Sequence, residues 1–168
     1  NLKNVISIKL KIIILLINLY IMYVIITIRK LVTLLKKIMI VEDDKTIANE
    51  LYNLLTTSSY AAEILDDFSN SKEKILNSKS DLILLDINIP QLNGEILLKE
   101  IRKKSSVPII MITSRTNEAD EVLSMSYGAD DYITKPYNPT ILLLRIQNIF
   151  KRIENNTDDM FYDDIIVN

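Results

Sequence analysis

Three carboxylates, two hydroxyls and one amine stand at the ends of apolar runs in this sequence. KIMIV (37–41) leads into Glu42 and Asp43, and LILL (82–85) ends on Asp86. VPIIMIT (107–113) ends on Thr113 with Ser114 next, and DYIT (131–134) leads into Lys135 and Pro136. Runs of this kind read as buried strands, and each delivers its last residue to the rim of a sheet. Three carboxylates gathered at one rim repel one another, and loss of water adds to the cost. They need a cation. Hard oxygen ligands with room for water suit Mg2+, with Mn2+ also acceptable. Lys135 would offset charge from the other side.

The elements between those runs explain how distant residues can meet. Ile47, Leu51, Leu54 and Leu55 recur at helical spacing after the first run. AAEIL (61–65) reads as a second strand. Ser69 to Asn77 reads as a helix, with Asn70 and Glu73 spaced as a capping box. Glu95 to Lys104 follows the Asp86 run as a helix with Ile96, Leu97 and Ile101 on one side. Asn117 to Tyr127 reads as another, closed by Gly128. Asn138 as N-cap and Pro139 in the first turn open a last helix that reaches about Arg152. Strand and helix thus alternate five times. The expectation is an α/β fold: a doubly wound, five-stranded parallel sheet flanked by helices, with a hydrophobic N-terminal extension. Ligands of such sheets bind outside the carboxyl ends of the strands, where the six groups lie.

Composition narrows the chemistry. Among 168 residues there is no cysteine and no histidine. Disulfides, thiolate catalysis, His-based triads, the usual zinc ligands and a phosphohistidine on this chain are excluded. The net charge of −2 hides an asymmetry, because residues 1 to 37 hold seven basic groups and residues 38 to 168 hold all 22 acids. An acidic module is a poor ligand for phosphate backbones.

Residues 1–34 form a separate segment. Ile12 to Ile28 is apolar apart from Asn18, has basic flanks, and is just long enough to cross a bilayer core. The flanking charges are too even to fix an orientation. The first 34 residues also lack Gly, Ala, Pro, Asp and Glu. AT-rich sequence translated upstream of a start at Leu35 would read this way, and that misplaced start is preferred to a genuine membrane segment. The division is therefore 1–34 as extension, 35–153 as the principal domain, and 154–168 as a polar linker (NNTDD) followed by MFYDDIIVN, which reads as a short strand.

Four segments stand in order: VEDD (41–44), DINIPQLNG (86–94), ITS (112–114) and GADDYITKP (128–136). Together they resemble the receiver domain of two-component response regulators, over about Lys37 to Arg152. The resemblance implies that Asp86 is the phosphoacceptor, and that Glu42, Asp43, Asp86 and the backbone carbonyl of Asn88 hold Mg2+. It implies that Thr113 and Ser114 serve the phosphoryl group, that Lys135 pairs with it, and that Tyr132 is a switch aromatic. Pro90 and Gly94 would shape the loop after the acceptor, and Asn88 and Arg115 would border it.

GADDYITKPYNP is most similar to the branch that carries a winged-helix DNA-binding domain after the receiver. In that branch active receivers pair, and Asp130, Asp131 and Arg145 stand where charged partners of that face are expected. EADEVLSMSY (118–127) has no basic residue, so packing by the apolar last helix would have to contribute more.

The implied function is a phosphorylation-dependent regulator, cytoplasmic, taking phosphoryl from a sensor histidine kinase or a phosphotransfer protein. It would form a homodimer when phosphorylated, and would reach DNA only through an effector domain outside this chain. It would be no enzyme beyond its own phosphorylation and dephosphorylation. The alternatives are a Mg2+-dependent phosphatase-like hydrolase, for which Asn88 replaces the expected second acid, and a non-catalytic interaction module anchored at the membrane by residues 12–28.

Overall fold

The computed structural model describes residues 2–33, 35–89, 92–114 and 118–166. Pro90, Gln91, Arg115 and Asn117, all invoked above, lie outside the described residues. The chain divides into two units, residues 1–35 and 36–168.

The first unit is a helix, α1 (Leu2–Thr33). From Ile12 to Ile26 its large apolar side chains other than Val24 are about half exposed or more. Among the described residues no helix is long and apolar enough to cross a membrane.

The second unit alternates as the sequence predicts: β1 (Lys37–Val41), α2 (Lys45–Thr57), β2 (Ala61–Ile64), α3 (Ser71–Asn77), β3 (Leu82–Asp86), β4 (Asn88–Ile89), β5 (Leu92–Asn93), α4 (Gly94–Arg102), β6 (Ile109–Thr113), α5 (Glu118–Ser126), β7 (Asp131–Thr134) and α6 (Pro139–Ile166). Five strands pair in parallel in the order β2-β1-β3-β6-β7. The chain winds outward from β1 to β2, then returns across β1 to β3. The crevice between β1 and β3 is the topological switch point.

Alternation within each strand divides the core. Ile38, Ile40, Leu82, Leu84, Ile110 and Ile112 face one side, where Ala48, Leu51 and Leu55 of α2 and Leu142, Ile146 and Ile149 of α6 cover them. Met39, Val41, Ile83, Leu85 and Met111 face the other, under Ile75 of α3 and Leu97, Leu98 and Ile101 of α4. Both faces of β3 and β6 are fully buried, which is why these strands read as unbroken apolar runs. Truncating any of these core leucines to alanine costs about 2–5 kcal/mol.

Three local expectations are corrected. In α4 the core-facing residues are Leu97, Leu98 and Ile101, while Ile96 is 59% exposed. The Asn70 capping box does not form, because Asn70 adopts a left-handed conformation (φ 53°) and its side chain caps nothing. A side-chain cap does form at the next helix, where Asn93 Oδ1 accepts from the amides of Glu95 (2.8 Å) and Ile96 (3.3 Å) to start α4. Finally, α6 does not stop at Arg152. It runs on to Ile166, through the stretch read as linker and strand. NNTDD contains neither Gly nor Pro, and the modest helix propensities of Asn, Thr and Asp do not break a helix already nucleated.

Candidate functional site

Four loops bring the chemistry-bearing groups to the carboxyl ends of β1, β3, β6 and β7. After β1, Asp44 turns away from the rim to cap α2. Its Oδ1 accepts from the amides of Thr46 (2.8 Å) and Ile47 (3.3 Å), and these bonds lower its pKa below the ordinary carboxylate value. That leaves Glu42 and Asp43 for the site. Glu42 is 5% exposed and Asp43 is exposed.

Asp86 ends β3 and is also 5% exposed. Its Oδ1 accepts from the amide of Asn88 at 2.9 Å, so the chain turns back over the carboxylate at once. The two-residue antiparallel hairpin β4–β5 continues that turn, pairing Asn88 with Asn93 and Ile89 with Leu92. The turn closes on Gly94, whose amide donates to Ile87 O at 3.1 Å. A Cβ on Gly94 would lie 2.3 Å from Asp86 O and 2.8 Å from Ile87 Cα. Only glycine lets α4 start this close to the acidic strand end.

Lys135 joins the two buried acids. Its Nζ donates to Glu42 Oε2 at 2.6 Å and to Asp86 Oδ2 at 2.7 Å. The pairing is deeply shielded, with side-chain exposures of 13%, 3% and 6% for Lys135, Glu42 and Asp86. Burial raises the Glu42 pKa above the usual glutamate value, and the neighbouring Asp86 charge adds to this, against the hydrogen bond from Lys135. Burial opposes the charge on Lys135, but the hydrogen bonds and charges of Asp86 and Glu42 outweigh it and raise the lysine pKa.

Glu42, Asp43 and Asp86 each offer a carboxylate oxygen, and these oxygens lie within 4.8 Å of one another. One ammonium faces three carboxylates, and Asp43 has no ion-pair partner among the described residues. An oxygen-only donor set with an excess of negative charge fits a hard divalent cation.

The remaining groups are placed as follows. Thr113 ends β6, fully buried, and its carbonyl accepts from the Lys135 amide at 2.6 Å. Ser114 is exposed and lines a cavity of about 470 Å³ with Ile47, Lys135 and Tyr137. A second cavity of about 520 Å³ opens beside Asp43, between α2 and the end of β2. Tyr132 is only 5% exposed and packs with the Leu97–Leu98 side of the core, so its ring is already turned inward in this structure.

The three residues expected on a dimer face have partners within the chain. Arg145 Nη1 donates to Asp131 Oδ1 at 2.6 Å. Asp130 Oδ2 accepts from Arg102 Nη2 at 2.7 Å and from the Ile109 amide at 2.8 Å. Asp130 is thus held by two bonds within this chain while its side chain stays 36% exposed. Sequence reasoning overlooked Asn93 and Arg102. Asn-Gly before an amphipathic run signals the first; nothing local signals the second, whose partners lie up to 28 residues away.

Comparison with known proteins extends the description. The family model for the response regulator receiver domain matches residues 38–147. The chain is 37% identical over 121 residues to the sensory transduction protein RegX3 of Mycolicibacterium smegmatis, covering 72% of this chain and 53% of that protein. It is 38% identical over 123 residues to the sensory transduction protein BceR of Halalkalibacterium halodurans, covering 73% and 53%. Among solved structures it is similar to a CheY-like receiver domain protein from Methanospirillum hungatei, at 34% identity and a TM-score of 0.68, covering 73% of this chain and 98% of that one. It is also similar to the N-terminal domain of the nisin resistance regulator NsrR, at 39% identity and a TM-score of 0.62, covering 67% and 96%. The chain spans about half the length of the curated relatives it matches. None of these relatives favours the hydrolase or the anchored interaction module.

Proposed function

This chain belongs to the response regulator receiver domain family, and from that premise we propose that Asp86 accepts a phosphoryl group from a histidine kinase or a phosphotransfer protein. The observation that carries the reading is the Glu42–Lys135–Asp86 arrangement, with Asp43 beside it and the hairpin folded over Asp86.

The residues divide the work. An ionised carboxylate keeps several acceptor lone pairs, so Asp86 can hold its bonds to Asn88 and Lys135 and still present a lone pair to phosphorus. The bond formed is Asp86 O–P. The bond broken is that between phosphorus and the donor's nitrogen, or its oxygen for an acyl phosphate, and that atom leaves with the electron pair. Lys135, fixed 2.7 Å from Asp86, stays protonated and neutralises charge on the equatorial oxygens. Thr113 and Ser114 bond the new group. Glu42, Asp43, Asp86 and the Asn88 backbone carbonyl would hold Mg2+. When bound, Mg2+ supplies charge stabilisation to the transferring phosphoryl group.

The added charge and acceptor oxygens then bias the Thr113–Tyr132 region. Because Tyr132 is already inward, phosphorylation on this reading stabilises the inward ring. The output is pairing with a second copy and control of transcription through an effector domain in the whole protein. On this reading the receiver spans 35–153, which holds Glu42, Asp43, Asp86 and Lys135.

The test is phosphoryl incorporation from a small donor with Mg2+, read by intact mass on the wild type and Asp86→Asn. Incorporation into the wild type with none into Asp86→Asn is expected. Equal incorporation into both overturns the assignment.

A further inference from the structure

We propose that Arg102 is a positioning residue for Lys135, acting through the start of β7. This rests on the phosphoacceptor reading above and names a component of that site which lies outside it.

Little backbone pairing holds β7. It has four residues, and it is an edge strand with a single neighbour, β6. The buried Tyr132 and Ile133 set which face each residue of β7 presents, but a short parallel ladder on one side adds little to hold the strand along its length. Yet Lys135, the residue after β7, must hold Nζ at 2.6 and 2.7 Å from two different acids. Something beyond the ladder has to fix the strand along its own axis.

Arg102, the last residue of α4, does this. Its Nε donates to Gly128 O at 2.6 Å, Nη1 to Val107 O at 2.5 Å, and Nη2 to Asp130 Oδ2 at 2.7 Å. The guanidinium fork therefore ties three segments together: the end of α4, the approach to β6 and the approach to β7. Asp130 Oδ2 also accepts from the Ile109 amide at 2.8 Å, while the Asp130 amide donates to Ile109 O at 2.9 Å. This double link sets Asp130 against Ile109, and the ladder then carries that register to Thr113↔Thr134. Gly128 (φ +97°) is shaped to the clamp, because a Cβ there would lie 3.2 Å from Arg102 Cγ. Lysine could keep the charge but could not serve three acceptors in one plane.

The clamp acts on β7 and leaves β1 alone. Glu42 and Asp43 follow β1, whose neighbours are β2 and β3. Loss of the clamp should therefore slow the step that needs Lys135 without weakening binding of the divalent ion, because Lys135 competes with that ion for Glu42 and Asp86; general destabilisation does not produce that separation.

The experiment compares Arg102→Lys and Asp130→Asn with wild type and with Ile149→Val, a core change of α6 that controls for lost stability through its Tm. Mg2+ affinity is read by calorimetric titration, and the phosphorylation rate by intact mass with a small donor at saturating Mg2+. The expected result is a rate about tenfold lower in Arg102→Lys, a smaller loss in Asp130→Asn, whose amide oxygen still accepts from Ile109, and a Mg2+ Kd no weaker than that of wild type in both. Ile149→Val should match wild type in both readings. Should Arg102→Lys not fold, Asp130→Asn carries the test alone. Wild-type rates in the clamp variants, or equal losses of rate and Mg2+ affinity, overturn the proposal. Failure of the wild type to label at Asp86 would instead overturn the reading on which it rests.

Discussion

The two ends of β7 carry two charge clusters that differ in what they leave unsatisfied. At its carboxyl end Lys135 faces Glu42, Asp86 and the nearby Asp43, one cation against three acids. Near its amino end Arg102 meets Asp130 alone, and its other donors are taken up by main-chain carbonyls. The first cluster is unbalanced and opens on a cavity at Asp43. The second is balanced, although Asp130 is 36% exposed and lines a cavity of about 200 Å³. Charge imbalance, more than access or the presence of ion pairs, distinguishes the end suited to a cation from the end that ties chain segments together.

The largest effect should come from breaking the unbalanced end. Lys135→Met leaves buried Glu42 and Asp86 facing each other, and should cost about 3–5 kcal/mol in urea unfolding without divalent ions. Added Mg2+ should recover part of that loss. A loss that Mg2+ leaves untouched would make the two ends alike.

Next is Arg102→Ala, which leaves the partly exposed Asp130 carboxylate with the Ile109 amide alone and removes the donors of two carbonyls; it should cost about 1–3 kcal/mol. Mg2+ should recover none of it in the same unfolding experiment.

Glu42→Gln tests the pH dependence. A carboxyl with a raised folded pKa binds its proton more tightly in the folded chain than in the unfolded one. Its contribution to stability is greatest at low pH, and falls as pH rises from the ordinary value of 4.5 through the raised folded value. Without divalent ions, Glu42→Gln should lack this fall in a series of unfolding curves across that window. A curve parallel to wild type would contradict the assignment.

The smallest effect belongs to Asp131→Asn. The Arg145–Asp131 pair is partly exposed, and its loss should change stability by less than about 1 kcal/mol. If concentration-dependent sedimentation also stays unchanged after phosphorylation, that pair has no part in association.

Much of this contrast was legible in the sequence, for identifiable reasons. Strands buried on both faces must be apolar, so KIMIV and LILLD announce themselves, and the polar residues that end them stand out. Sheet topology then does the gathering, which is why Glu42, Asp86 and Lys135 could be grouped despite separations of up to 93 residues. What escaped was set by contacts without a local pattern. Arg102 looks like any basic residue at the end of a helix, where the dipole favours it. Asp130 has the same sequence neighbours whether it turns to a second molecule or to Ile109. Asn70 sits three residues before a glutamate but takes a left-handed turn that no spacing rule detects. The continuation of α6 went unseen because polar composition was read as a break, although composition alone removes no backbone hydrogen bond.

The absence of any side chain at Gly94 has a consequence for layout. With no room for a methyl group between the first turn of α4 and the peptide of Asp86, the helix starts directly beneath the acidic rim. Its nine residues extend about 13 Å and end at Arg102. One short helix therefore spans from the strand end that bears the acids to the root of the edge strand.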